Sequence, residues 1–193
     1  MSKLISVGHL WVSASQVFPI ANPVGNTKAL ARVVVSDQLQ LTGIAIKQSM
    51  CGELRVVYPS IGTEVVLSVL PGAFKNIMES RLLHPDTAGT ELDEGGDMLE
   101  ITGMKVHALP ERTGKTVAFV SCTLGSDIVL RGMRVVDGVN GLFLSYPNDP
   151  GYRGEDYRTL YYPVTRELRD ALETRALEMY SGEYTGEGSY NSN

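Results

Sequence analysis

The chain has 193 residues, 43% hydrophobic and 20% charged, with a formal net charge of −5. That is the make-up of an ordinary globular chain of one large or two small domains, and it excludes a broad basic surface for nucleic acid. No apolar run approaches the roughly 20 residues of a membrane-spanning helix, and residues 1–7 are too short and polar for a secretory signal, so a cytoplasmic chain with no membrane partner is expected.

Residues 4–12 alternate apolar and polar and predict a strand. Residues 19–26 are rich in Pro, Asn and Gly and predict a loop. Residues 29–35 and 39–46 are β-branched, alternating runs around Ser36-Asp37-Gln38, the pattern of a hairpin. Strands over 54–58 and 64–70 follow. Pro71-Gly72 then breaks the pattern, and Phe74, Ile77, Met78, Arg81 and Leu82 fall at helical spacing until Pro85 stops the helix. Residues 86–97 are acidic, carry glycine and lack apolar periodicity. They read as a linker, which divides the chain into units 1–92 and 93–193.

The second half follows the same plan. Strands are expected over 98–106, 116–124, 128–136, 142–146 and 157–162, with turns at 110–114, 125–127 and 137–141. A polar loop occupies 147–156. Thr165 is a suitable N-cap for a last helix, with Glu167 in its first turn and Leu168, Ala171, Leu172, Ala176 and Met179 on one face. The tail from about 181 is Gly, Ser, Glu, Tyr and Asn and is expected to be mobile.

The two halves also match in wording. Gly52-Glu53-Leu54-Arg55-Val56-Val57-Tyr58-Pro59 recurs, one residue shorter, as Gly141-Leu142-Phe143-Leu144-Ser145-Tyr146-Pro147. Phe74-Lys75-Asn76-Ile77-Met78-Glu79-Ser80-Arg81 recurs as Leu168-Arg169-Asp170-Ala171-Leu172-Glu173-Thr174-Arg175. Self-similarity of this kind predicts a tandem repeat of one small unit.

In the second half, Leu130-Arg131-Gly132-Met133-Arg134-Val135-Val136-Asp137-Gly138-Val139-Asn140-Gly141-Leu142-Phe143 is followed by Tyr146-Pro147, and Tyr161-Tyr162-Pro163 by Thr165-Arg166. These runs resemble the SpoVG family, the stage V sporulation protein G and septation regulators. The resemblance covers residues 98–180; residues 4–84 look like a degenerate copy. It implies an α+β fold in which each unit is a curved antiparallel sheet with a C-terminal helix. Family members form homodimers, so the resemblance further implies an intramolecular pseudo-dimer, with further homo-oligomerisation open. It also implies a DNA- or RNA-binding bacterial or phage regulator.

The candidate nucleic-acid site follows from that resemblance and from local charge. Arg153, Arg158, Arg166 and Arg169 gather in sequence around the last loop and the start of the last helix, with Thr165 at the helix start and Tyr152 available for base stacking. A plain solvated surface, with Glu167, Asp170 and Glu173 pairing the arginines, is the competing reading of the same residues. Loop 148–156 holds one Arg against three acids, and the first half has no counterpart, so binding by one half only is expected. Arg131 and Arg134 fall on opposite faces of a strand by the two-residue period. Arg81 and Arg175 occupy one helix slot and are expected to cover a sheet edge or pair with a carboxylate.

No catalytic residue, metal site or cofactor is expected. His9, His84 and His107 lie in different elements without a relay acid, and His9 and His107 read as structural histidines. Cys51 and Cys122 occupy different places in the two halves and read as reduced thiols. The alternative function is a protein-interaction or inhibitor module on the same scaffold, of the kind a phage or mobile element carries, with a host protein as partner. The acidic linker and the Tyr/Glu tail favour it.

Overall fold

The computed structural model describes residues 10–23, 25–85, 99–151 and 158–186. The chain runs β1 (Val12–Pro19), β2 (Thr27–Val35), β3 (Leu39–Gln48), β4 (Leu54–Val57), β5 (Ser60–Ile61), β6 (Glu64–Val65), β7 (Leu67–Val69) and α1 (Ala73–Leu83). After the linker come β8 (Ile101–Thr113), β9 (Thr116–Leu124), β10 (Ile128–Gly138), β11 (Gly141–Ser145), β12 (Tyr161–Pro163) and α2 (Arg166–Gly186). The class is α+β, with two five-stranded antiparallel sheets and a small β5–β6 hairpin. The linker, with the expected boundary at 92/93, lies outside the described residues, as do residues 187–193.

Each sheet is completed by a strand from the other half. β12 pairs with β3, through Tyr161↔Leu41 and Pro163↔Leu39. β7 pairs with β10, through Leu67↔Leu130 and Val69↔Ile128. Hydrogen bonds at the two junctions match. The Thr42 amide donates to the Leu160 carbonyl at 2.8 Å, and the Arg131 amide donates to the Val66 carbonyl at 2.8 Å. Leu160 N donates to Pro147 O and Val66 N to Pro59 O; Val164 N donates to Gln38 O and Leu70 N to Asp127 O. A single apolar cluster then runs through both sheets and both helices, from Leu41, Ile44 and Met78 to Leu130, Met133 and Leu172. Burial of that continuous face stabilises both halves together at roughly 25 cal/mol per Å² of apolar surface.

Both central strands bulge at a glycine. Gly43 in β3 has φ +69° and Gly132 in β10 has φ +81°, the left-handed region in which side chains are strained. A Cβ on Gly43 would lie 2.9 Å from Leu160, and one on Gly132 would lie 3.3 Å from Val66. The bulges thus make room for the incoming segments of the opposite half.

The expected hairpins, 29–35 with 39–46 and 116–124 with 128–136, are present. The edges differ. β1 occupies Val12–Pro19, beyond most of the expected run, because an edge strand is held by backbone pairing to β2 and needs little apolar alternation; residues 4–9 of the strand expected over 4–12 lie outside the described residues. β8 continues through Pro110, where a turn is expected; an edge strand tolerates a residue without an N–H. The run 64–70 divides into β6 and β7, since the Val66 amide turns to Pro59. β12 begins at Tyr161, while residue 157 lies outside the described part. α2 continues past 181 to Gly186. Its N-cap is as expected: Thr165 Oγ1 accepts from the Leu168 amide at 3.4 Å. Arg81 and Arg175 donate to the carbonyls of Val12 and Ile101, at 2.9 and 2.7 Å, and so cover the edge strands.

Both cysteines are free thiols. Burial in β9 pushes the Cys122 thiol up to about 12, whereas the hydroxyl of Ser49 holds the exposed Cys51 thiol below its ordinary range. Among the described residues, no helix is long and apolar enough to cross a membrane.

Two outcomes follow for the fold. Gly43→Ala and Gly132→Ala should each lower unfolding stability by about 1–3 kcal/mol, read from urea melts. Brief alkylation of the native protein at neutral pH should modify Cys51 alone, and Cys122 only after denaturation, by mass spectrometry.

Candidate nucleic-acid interface

The bulge at Gly132 changes which residues share a face. Leu130 and Met133 are both fully buried with two residues between them, where a regular strand would have one. Arg131 and Arg134 therefore emerge on the same outer face, not on opposite faces as the two-residue period implies. An isolated glycine inside a strand pattern is the sequence signal that marks such a site.

Two rows of side chains cross this outer face. In one, His107 of β8 stands opposite Phe119 of β9, which stands opposite Arg134 of β10. In the other, Lys105 stands opposite Ser121, and the β10 bulge with Arg131 follows. Residues opposed across strands have Cβ atoms roughly 4.5–5.5 Å apart, so Phe119 is flanked closely by an imidazole and a guanidinium. Its ring is 45% exposed, which leaves a face open to a ligand.

The β5–β6 hairpin of the first half closes one side. Ile61, Glu64 and Val66 join the sheet residues around a cavity of about 580 Å³. A second depression of about 450 Å³ shares Lys105, Ser121 and Arg131 and continues towards Gly103 and Thr123. The larger cavity is lined by three cations, Lys105, Arg131 and Arg134, against one carboxylate, Glu64. A chain of net charge −5 thus concentrates positive charge on one face. In the first half the corresponding rows are Phe18–Leu30–Ala45 and Gln16–Arg32. They hold one cation, which lies 5.8 Å from the Phe18 ring centroid.

Arg131 is held from two sides. Its guanidinium donates to Ser68 Oγ at 3.4 Å, on the strand contributed by the first half. Its carbonyl accepts from the Tyr161 hydroxyl at 2.6 Å. Tyr161 is completely buried and meets Tyr146 edge-on at 6.2 Å. Burial raises its phenol well above the ordinary value, so the hydroxyl stays protonated and remains a donor.

The residues singled out from the sequence are distributed elsewhere. Tyr152 and Arg153 lie outside the described residues. Arg158 is 3.8 Å from Asp149, and its carbonyl accepts from the Asp149 amide. The neighbouring Thr159 carbonyl accepts from the Thr42 hydroxyl, so this end of the loop sits on the first half's sheet. Thr165, Arg166 and Arg169 share the start of α2. Arg166 pairs with Asp170 at 3.3 Å, both strongly exposed, an arrangement of little energetic worth. Arg169 lies near enough to Tyr146 for its charge to oppose the rise that burial imposes on that phenol. His107, expected to be structural, is exposed on the groove face, and His9 lies outside the described residues. Among the described residues, no group of His, Cys, Asp and Glu converges as a metal site.

Tyr161→Phe should lower unfolding stability by about 1–2 kcal/mol, because it removes the donor to a carbonyl held between the sheets. Urea unfolding at neutral pH reads the difference directly.

Comparison with known proteins places the likeness in this second half. Residues 99–182 match the family model described as SpoVG. The chain is similar to "Putative septation protein SpoVG" of Lachnospira eligens, 33% identical over 90 residues, which is 46% of this chain and 100% of that relative. The proteins of the same name from Agathobacter rectalis and Clostridioides difficile strain 630 are 31% and 33% identical, over 44% and 42% of this chain and 95% and 87% of their own lengths.

Proposed function

This chain belongs to the SpoVG family, and from that premise we propose a non-catalytic regulatory protein that binds nucleic acid. The observation that carries the proposal is the outer face of the second sheet. Lys105, Arg131 and Arg134 gather there around the exposed Phe119. Phosphate contacts supply most of the affinity of such surfaces, and an aromatic ring supplies a stacking platform. The start of α2, with Thr165, Arg166 and Arg169, is the second candidate on the same half, its two arginines offset by Glu167 and Asp170.

The exchange of β7 and β12, with its matching hydrogen bonds and paired glycine bulges, supports reading the chain as two fused family units packed as an intramolecular pseudo-dimer. Only the second half carries the cationic rows, so the proposed binding is one-sided.

The test is fluorescence anisotropy with labelled RNA and DNA oligonucleotides at low salt. Lys105→Gln/Arg134→Gln should weaken binding roughly tenfold or more and reduce the salt slope by about 1 per cation removed. Arg166→Gln/Arg169→Gln should have the smaller effect. A larger loss in that second pair would move the site to the helix start. No binding by the unaltered chain to either nucleic acid would overturn the proposal.

A second reading, a protein-interaction or inhibitor module, is favoured by apolar side chains at two hairpin tips. Val139 between β10 and β11 and Met50 between β3 and β4 are fully exposed, with Phe143 and Leu54 beside them. Loss of a captured host protein on Val139→Lys, with nucleic-acid binding absent, would select this reading.

A further inference from the structure

We infer that the cavity between the β5–β6 hairpin and the second sheet receives one unpaired nucleotide, so the chain selects single-stranded nucleic acid over duplex. The inference rests on the nucleic-acid reading above and names the form of the ligand.

Shape argues first. The major groove of duplex DNA is read by convex elements, a helix or a ribbon entering it. Here the cations line a concavity of about 580 Å³, with the β5–β6 hairpin standing over one side. That volume lies within the usual range for small-molecule sites and suits a single nucleotide. A duplex is too wide to enter it.

Chemistry argues next. In a duplex each base face is covered by its neighbours, so an aromatic side chain can stack only on a base that has left the helix. Phe119 stands in the middle of its row, half exposed, between His107 and Arg134. Charge then sets the ligand's direction. Glu64 repels phosphate from the hairpin side, where Ile61 and Val66 offer apolar contact. Phosphate is drawn to Lys105 and Arg131, and these two also line the adjoining depression. A strand can therefore place one base against Phe119 and carry its backbone over Lys105, Ser121 and Arg131 into the second depression.

The first half lacks this arrangement. In its equivalent rows, Phe18–Leu30–Ala45 and Gln16–Arg32, Leu30 takes the place of Phe119, and the one cation, Arg32, is set over the Phe18 ring. One nucleotide site per chain follows, although the chain contains two sheets.

The experiment compares a short labelled oligouridylate with a duplex of the same length, using the full chain and anisotropy. The single strand should bind roughly tenfold tighter or better. Phe119→Leu should weaken single-strand binding by roughly tenfold, in line with the loss of one stacked base, and leave the salt slope unchanged. Lys105→Gln should instead flatten the slope. Phe119→Trp supplies a second readout, since stacking should quench the added indole with the single strand and not with the duplex. Equal affinity for both forms, with no effect of Phe119→Leu and no quenching, would overturn the inference while leaving nucleic-acid binding intact. Binding of neither form would overturn the functional proposal itself.

Discussion

The hydrogen bond from Tyr161 to the Arg131 carbonyl ties one sheet to the other through the protein's buried centre. Tyr161 sits in β12, hydrogen-bonded to β3 of the first half, while Arg131 sits in the bulge of β10 in the second. The two residues therefore join the sheets directly. Its burial costs the desolvation of a hydroxyl, and the bond at 2.6 Å compensates that loss. The same bond fixes the backbone from which the Arg131 side chain leaves. Packing between the sheets and the position of a groove cation are one constraint.

The strand exchange explains why neither half can be treated alone. Without β12, strand β3 would present an unpaired stretch at Leu39–Leu41, and without β7, strand β10 would do so at Ile128–Leu130. Unsatisfied edges of buried strands are costly and promote association. A chain that carries both halves satisfies these edges at high effective concentration, since the linker makes the pairing intramolecular. It also lets the halves differ. The second sheet's outer rows carry Lys105, His107, Arg131 and Arg134, and the first sheet's carry Gln16, Phe18, Thr42 and Ala45 at the matching positions. One half is thus free to supply the hairpin wall of a groove whose charged floor belongs to the other.

Much of the local structure was legible because its causes are local. The Ser36-Asp37-Gln38 and Gly125-Ser126-Asp127 turns announce their hairpins, and Thr165 caps its helix through a bond three residues away. The SpoVG likeness of residues 99–182 was legible for a related reason, since turn glycines and strand alternation recur in a fixed order. The groove was less so. A strict period of two sets Arg131 and Arg134 on opposite faces, but the positive φ of Gly132 breaks that period. His107 reads as structural from a sequence with no relay acid beside it, whereas the register of β8 puts it on the exposed outer face.

The sequence by itself determined the class, the hairpins, the helix starts, the family and the inequality of the halves, because each depends on residues close together along the chain. Tertiary structure alone decided which half completes which sheet, and so brought Ile61 and Glu64 beside Lys105 and Phe119. No periodicity encodes that meeting. It arises from backbone groups more than 50 residues apart finding their partners, Leu67 with Leu130 and Leu41 with Tyr161, once a shared apolar core has drawn the sheets together.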